Sequence, residues 1–224
     1  MVNGASFSFP VLLTLRTCAV CFVLFLVIGL PIARWGSRSR SFAARAVSFL
    51  VTLPTIFPPI ALGFMLLLLL GKNGPVGRLL NALFGSHLVF SASGVAFAAF
   101  VAGLPLVVRP LQAAMERIEI VRLEEAARTM GCGPVKTFFL ITVPQVGNTL
   151  ASGLLLGIAR ASGEVGITMM LGGNISGRTN TLSLEIYNSV SRGEFDEAMK
   201  LCAILAVVGL VLYILLEKYR EREV

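Results

Sequence analysis

Long runs of apolar residues restrict the fold of this chain more than any other feature of its sequence. Ala46–Leu70 and Leu88–Val108 contain no charged residue, and Val11–Ala33 carries only Arg16 near its start. A helix needs about 20 mostly apolar residues to cross a bilayer. Charged residues make up only 14% of the 224 positions, against about 25% in soluble domains. We therefore expect an integral membrane protein surrounded by the lipid bilayer.

Two further apolar runs bring the number of predicted spans to about five. The fourth covers about Val146–Leu171 and is interrupted by Arg160 and Glu164, and the fifth covers about Met199–Leu216. The runs are continuous and do not alternate with polar residues, which favours helices. With no linker or internal repeat, the sequence predicts one all-α transmembrane domain over residues 1–224.

Basic residues set the orientation of these spans. The richer side holds Arg34, Arg38, Arg40 and Arg45, then Arg109, Arg117, Arg122, Arg128 and Lys136, and finally Lys218, Arg220 and Arg222. The poorer side holds Lys72, Arg78, Arg178, Arg192 and Lys200. The positive-inside rule makes the richer side cytoplasmic, so the N-terminus is predicted outside and the C-terminus inside the cell (inner) membrane. This anchoring also explains the net charge of +7, and no nucleic-acid motif accompanies the charge.

Prolines inside the second run are candidates for a translocation path. Pro54, Pro58 and Pro59 each lack a backbone donor and bend a helix. In a membrane such a bend requires protein or a water-filled cavity to satisfy the freed carbonyl groups. A packing kink explains the prolines equally well, and the sequence leaves both interpretations open.

A carboxylate inside the fourth run is a second candidate, for a gate. An intramembrane carboxylate is energetically expensive and is functional by default. Arg160 precedes Glu164 by four residues, which would place both on one helix face and predicts an ion pair. Small or polar neighbours such as Ser162 permit close helix approach at a gate or subunit interface.

The segment at about 109–145 is predicted to be cytoplasmic and to form two short helices. Its first part is rich in helix-forming residues, and Ile120, Leu123 and Ala127 recur at helical spacing. Gly131 then ends the helix, and Pro134 is well placed to begin another. A solvated helical hairpin is the simplest interpretation of such a loop.

The same segment also carries a more specific pattern. Glu125-Ala126-Ala127, Gly131, Ile141 and Val143-Pro144 follow the spacing of the EAA motif of ABC import permeases, with Val143 in place of the usual Leu. The resemblance implies that this segment is a coupling helix, which docks into a groove on an ATPase subunit. Small Ala126 and Ala127 would allow close approach, Gly131 would form the turn, Glu124, Glu125 and Arg128 would make ion pairs at the rim of the contact, and Ile141 and Pro144 would complete the motif.

Other stretches resemble molybdate transport permeases along nearly the whole chain. Examples are Gly71-Lys72-Asn73-Gly74-Pro75, Leu104-Pro105-Leu106-Val107-Val108-Arg109 and Ala161-Ser162-Gly163-Glu164-Val165-Gly166, with Val165 where Phe is usual. The resemblance implies the permease of a type I ABC importer that forms a homodimer. Its expected partners are two ABC ATPase subunits, an extracytoplasmic substrate-binding protein and molybdate. Tungstate or sulfate transport is the alternative.

No set of residues in the sequence indicates a catalytic, cofactor or metal site. A phosphate-binding Gly-x-x-x-x-Gly-Lys-Ser/Thr loop is absent, so ATP hydrolysis would belong to a partner. Cys18 and Cys21 have C-x-x-C spacing but lie in an apolar run without a second pair. An intramembrane enzyme acting on lipids is a remote alternative, since it would need clustered polar residues. A self-sufficient channel or ion-coupled carrier would not need the coupling motif.

Overall fold

The protein is a helical bundle in the part of the chain that the computed structural model describes, residues 8–85 and 87–220. The helices are α1 (Ser8–Leu24), α2 (Leu30–Arg38), α3 (Phe42–Ile56), α4 (Pro59–Leu70), α5 (Pro75–Phe84), α6 (Ala92–Met115), α7 (Ile118–Thr129), α8 (Pro134–Thr137), α9 (Val143–Gln145), α10 (Gly147–Ser162), α11 (Gly166–Gly172), α12 (Leu182–Ser191) and α13 (Phe195–Arg220). Two π-helical turns, Phe25–Gly29 and Phe138–Thr142, join α1 to α2 and α8 to α9. The predicted all-α class is confirmed. Arg222, one of the basic residues used for the orientation, lies outside the described residues.

The described helices provide three to five candidate membrane spans. Three are long and apolar enough alone: Ser8–Arg38, Ala92–Met115 and Phe195–Ile214. Two more result if each bent helix pair counts as one span: Pro59–Leu70 with Pro75–Leu83, bent by 52°, and Pro134–Gln145 with Gly147–Ser162, bent by 73°. The upper number agrees with the sequence prediction of about five, although the bent pairs are shifted along the chain from the predicted runs Ala46–Leu70 and Val146–Leu171.

Two of the predicted spans are broken in the structure. The second divides at Phe57 and Pro58, where α3 ends and α4 begins, because the residue before a proline is pushed into the extended conformation seen at Phe57. The fourth divides at 163–165, between α10 and α11. The third begins at Ala92, where the Ser91 hydroxyl accepts from the Gly94 N–H at 3.1 Å, and it continues to Met115, past its predicted end.

Helix α6 lies at the centre of the bundle and contacts α1, α2, α3, α10 and α11. Its crossing with α10 depends on glycine: a Cβ atom on Gly103 would lie 2.5 Å from the Gly157 carbonyl oxygen. Small residues permit such close helix packing in membranes. Phe25 is fully buried beside this crossing, with its ring centroid 5.4 Å from that of Phe100.

Many apolar side chains of the candidate spans are exposed on the outside of the bundle. Val27 on the first span, Leu68 on α4 and Val207 on α13 are each more than half exposed. Such residues would be unfavourable in water but suit lipid chains or a second membrane subunit.

Candidate coupling segment and gate

The segment between α6 and α10 folds into two helical pieces joined by a turn at Gly131. Gly131 has φ +85°, a conformation that strains residues with a Cβ atom. Its N–H donates to the Arg128 carbonyl at 2.9 Å, and the Cys132 N–H donates to the Ala127 carbonyl at 3.0 Å. These two bonds form a Schellman cap at the end of α7. Pro134 then begins α8, so the predicted glycine turn between two short helices is present.

Glu124 ties α7 to the bundle. Its carboxylate is buried and accepts from Arg34 Nη1 at 2.7 Å and from Arg38 Nε at 3.2 Å. The Thr142 hydroxyl, from the π-helical turn before α9, donates to the same carboxylate at 2.5 Å. Glu124 therefore lies inside the protein, and the expectation that it makes ion pairs at the rim of a partner contact is wrong.

The charge of Glu124 is stabilised by these partners. Burial alone would raise the pKa of its carboxyl group, but hydrogen bonds from Arg38, Thr142 and Arg34 lower the pKa from 4.5 to about 2. The Arg34 guanidinium also lies over the Phe138 ring, 5.6 Å from its centroid. The ionised carboxylate thus holds α2, α7 and the π-helical turn together as one unit.

The remaining predicted coupling residues divide between two faces of the segment. Ile120 and Ala127 join Glu124 on the buried face of α7, whereas Leu123, predicted to belong to the same apolar stripe, is 45% exposed. The exposed predicted residues are Glu125, Ala126, Arg128, Gly131 and Pro144. Ile141 is half-buried. Of the two alanines only Ala126 is available to a partner, because Ala127 packs against its own chain.

Exposed apolar side chains flank the glycine turn. Met130 is 85% exposed at the end of α7, and Val135 is 69% exposed at the start of α8. Both lie in the segment predicted to be outside the membrane, where adjoining exposed apolar groups form a candidate contact surface for another protein. We call the surface formed by Glu125, Ala126, Arg128, Met130 and Val135 the docking face.

The breaks in the second and fourth predicted spans meet each other. A Cβ atom on Gly166 would lie 2.8 Å from Pro59 Cβ, so the first turns of α4 and α11 pack in direct contact. One turn further, a Cβ atom on Gly63 would lie 2.9 Å from Met170 Cβ. The structure therefore brings the proline break beside the break that contains Glu164.

Glu164 stabilises its own break in two ways. Arg160 Nη1 lies 2.6 Å from Glu164 Oε2, and Glu164 Oε1 accepts from the Ile167 N–H at 2.7 Å. The predicted ion pair is present, but Glu164 follows the end of α10 and does not share a continuous helix face with Arg160. The Ser162 carbonyl, at the end of α10, accepts from the Ser183 hydroxyl at 2.7 Å, which ties this break to α12.

Pro54 and Pro58 have different surroundings from each other. Pro54 lies within α3 and lines an apolar cavity of about 280 Å³ together with Leu62 and Leu104. Pro58 is exposed at the break itself. Pro54 thus fits the alternative of a packing kink, whereas Pro58 and Pro59 belong to the junction of the two breaks.

Sequence reasoning missed the partners of Glu124. Arg34 and Arg38 counted only toward the membrane orientation, and Thr142 was not singled out. A signal was present, because two arginines four residues apart on one helix repel each other unless an anion lies between them.

Broken helices that meet inside a membrane bundle are typical of transporters, where they surround the path of the solute. The fold and the junction of the two breaks therefore indicate a multi-pass membrane transport subunit. Residues 26–224 match the family described as the inner membrane component of binding-protein-dependent transport systems, and the chain belongs to this family of transport components, which are not enzymes.

Relatives and structural neighbours agree with this assignment. The chain is 40% identical over 186 residues to the molybdenum transport system permease protein ModB of Azotobacter vinelandii. The aligned residues make up 83% of this chain and 82% of the relative. The ModB protein of Escherichia coli K12 is 34% identical over 90% of both chains. The fold is similar to that of a chain in the crystal structure of a bacterial alginate ABC transporter with its periplasmic protein. That match has a TM-score of 0.75 and 18% identity and covers 98% of this chain and 80% of the other.

Proposed function

We propose that this chain is the membrane-spanning permease of an ATP-driven molybdate importer. The support is its identity, over most of both chains, to proteins named as molybdenum transport permeases. Two copies would enclose one path, with two ATPase subunits on the cytoplasmic side and a substrate-binding protein outside. The path opens alternately to each side, and the oxyanion passes through without chemical change.

The proposed ATPase contact is supported by the two faces of α7: Glu124 anchors the buried face to the bundle, and the docking face is exposed. Glu124 fixes the helix to α2, so a force applied to the docking face moves the bundle and does not simply bend a loop. Ala126 and Met130 offer close apolar contact, while Glu125 and Arg128 supply charges of both signs, which orient a partner more than they strengthen its binding.

Uptake by the complex reconstituted with its ATPase and its binding protein tests the substrate. We expect molybdate uptake to require ATP and the binding protein, and to be inhibited by tungstate, a tetrahedral dianion of nearly equal size. Stronger inhibition by sulfate than by tungstate would make the chain a sulfate permease. Molybdate flux without the ATPase would indicate a channel or an ion-coupled carrier.

A pair of neighbouring substitutions tests the docking face. Ala126→Trp adds bulk on the exposed side of α7, so the isolated permease should keep its thermal midpoint while ATPase recovery by pull-down and uptake are lost. Ala127→Trp adds the same bulk on the buried side and should lower the thermal midpoint of the permease itself. Wild-type ATPase recovery and uptake in Ala126→Trp would mean that this face does not contact the ATPase.

A further inference from the structure

An open cavity of about 340 Å³ lies between α3 and α6, and two arginines line it. Arg45 comes from the first turn of α3 and Arg109 from α6, and Ser48 and Thr52 supply hydroxyl groups between them. At about 30 Å³ per molecule the space would hold on the order of ten waters, ample for a hydrated small anion.

Among residues 8–85 and 87–220, only neutral groups hold Arg109 in place. Its Nε donates to the Thr52 hydroxyl at 2.9 Å, its Nη2 to the Ser48 carbonyl at 3.1 Å, and its Nη1 to the Gln112 amide oxygen at 3.3 Å. Gln112 is buried, donates in turn to the Ser48 hydroxyl at 3.3 Å, and packs against Gly36 of α2. The guanidinium is therefore positioned at the cavity wall, and no carboxylate of the described residues neutralises it.

Three other arginines of the bundle have carboxylate partners. Arg34 and Arg38 pair with Glu124, and Arg160 pairs with Glu164. Within residues 8–85 and 87–220, by contrast, neither Arg45 nor Arg109 forms an ion pair. Two cations that line one cavity repel each other, and an anion between them offsets that repulsion by attracting both.

The position of the cavity links it to the coupling segment. Arg109 lies about 9 Å along α6 from Met115, where this helix ends just before α7. Ser41 caps the start of α3, and Arg45 is one turn further, at the end of the helix that the basic residues place on the cytoplasmic side. The cavity thus opens at the inner end of the bundle.

We propose that this cavity is a binding site for a tetrahedral oxoanion, held by Arg45 and Arg109 and by the Ser48 hydroxyl. Its assignment to the transport path, as the site from which the oxyanion leaves toward the cytoplasm, rests on the proposed function. The phosphate of an anionic lipid headgroup has the same chemistry and is the other source of the ligand.

Arg45→Gln is the decisive variant, because the Arg45 side chain forms no hydrogen bond or ion pair within the described residues, so the substitution removes charge without breaking a polar side-chain contact. Arg40→Gln is the matched control, an exposed arginine of the same cytoplasmic segment that does not line the cavity. The purified permease is titrated in detergent with sodium molybdate, with sodium sulfate and with sodium chloride at equal ionic strength. A separate series places the permease in nanodiscs with and without phosphatidylglycerol. The thermal midpoint is recorded in every case.

Molybdate should raise the thermal midpoint of the wild type and of Arg40→Gln, with half-saturation at about tenfold higher concentration in Arg45→Gln. The thermal midpoint could instead rise only with phosphatidylglycerol and not with molybdate, and rise less in Arg45→Gln. That result supports the oxoanion site with lipid phosphate as its occupant. Equal responses of Arg45→Gln and Arg40→Gln in both series overturn the site. Loss of uptake with intact molybdate binding would instead count against the proposed function alone, because binding is measured on the permease without its partners.

Discussion

Glu124 and Glu164 are both buried carboxylates paired with arginine, but their second partners differ. Within the part of the chain that the structure describes, the Glu124 carboxylate accepts only from side chains, which come from α2 and from the turn before α9. Glu164 accepts from Arg160 and also from the backbone N–H of Ile167, so it caps α11. Removing the charge should therefore separate elements in the first case and fray a helix start in the second.

We expect Glu124→Gln to destabilise the permease strongly, because it leaves Arg34 and Arg38 without an anion. Breaking a buried pair by removing one partner costs roughly 3–5 kcal/mol. The thermal midpoint of the purified permease measures this loss. Glu125→Gln, one position along the same helix but exposed, is the control and should leave the midpoint unchanged. Equal midpoints for the two variants would contradict the anchoring role.

The same variant makes a prediction about pH. The pKa of Glu124 is lowered by folding from 4.5 to about 2, so its charge contributes stability above pH about 4.5 and loses that contribution as the pH falls toward 2. The difference in midpoint between the wild type and Glu124→Gln should therefore be constant near neutral pH and shrink only below pH about 4.5. A difference that already changes between pH 6 and 8 would contradict the lowered pKa.

We expect a glutamine at position 164 to retain part of the stabilisation that Glu164 provides. Glu164→Gln retains an oxygen that can cap Ile167 but loses the charge facing Arg160, so it should keep more stability than Glu164→Ala. Exchanging the two charges, as Arg160→Glu with Glu164→Arg, should not restore stability, because a guanidinium cannot accept the Ile167 N–H. Thermal midpoints of the three variants decide this, and full rescue by the exchange would mean that the ion pair alone matters.

At the scale of elements, the turn between α7 and α8 offers a comparison within one loop. Gly131 has φ +85° and Gly133 has φ −65°, and an added Cβ atom would meet nothing within 4 Å at either position. Gly131→Ala should therefore cost about 1–2 kcal/mol through backbone strain, whereas Gly133→Ala should be neutral. Weaker ATPase recovery by pull-down with Gly131→Ala alone is the expected result. Equal recovery for both variants would show that the turn geometry does not position the docking face.

The elements differ in how well the sequence predicted them. The short helices around Gly131 were predictable because glycine, proline and helix-forming residues all indicate the same local structure. The inward face of α7 was not predictable from the sequence. Leu123 is more apolar than Glu124, so apolar periodicity predicts that Leu123 is buried and Glu124 exposed. The partners that bury Glu124 lie on α2, some ninety positions earlier, and only tertiary contact brings them together.

For the whole molecule, the sequence predicted the membrane class and about five spans, because apolar length and bilayer thickness decide both. It did not predict that two spans are broken at adjoining positions. Hydropathy is uniform across Phe57-Pro58, and at 163–165 the single charge of Glu164 is averaged with its apolar neighbours, so the mean hydropathy of a span-length segment shows neither break. Their contact depends on Gly166 lying against Pro59, which no local pattern contains.

The orientation of the molecule in the membrane is the last prediction, and it rests on the excess of Lys and Arg on one side of the spans. The test starts from a variant that lacks the four native cysteines, Cys18, Cys21, Cys132 and Cys202. A single cysteine is then introduced at one of two exposed positions, by Thr129→Cys on α7 or by Ser176→Cys in the loop before α12. A membrane-impermeant maleimide added to intact cells should label Ser176→Cys and not Thr129→Cys, and permeabilised cells should label both. Labelling in permeabilised cells shows that the cysteine at position 129 can react, so its failure in intact cells reflects its side of the membrane. The permease is expressed without the ATPase, so that a bound ATPase cannot cover position 129. Labelling of Thr129→Cys in intact cells would reverse the orientation, and the docking face could then not meet a cytoplasmic ATPase.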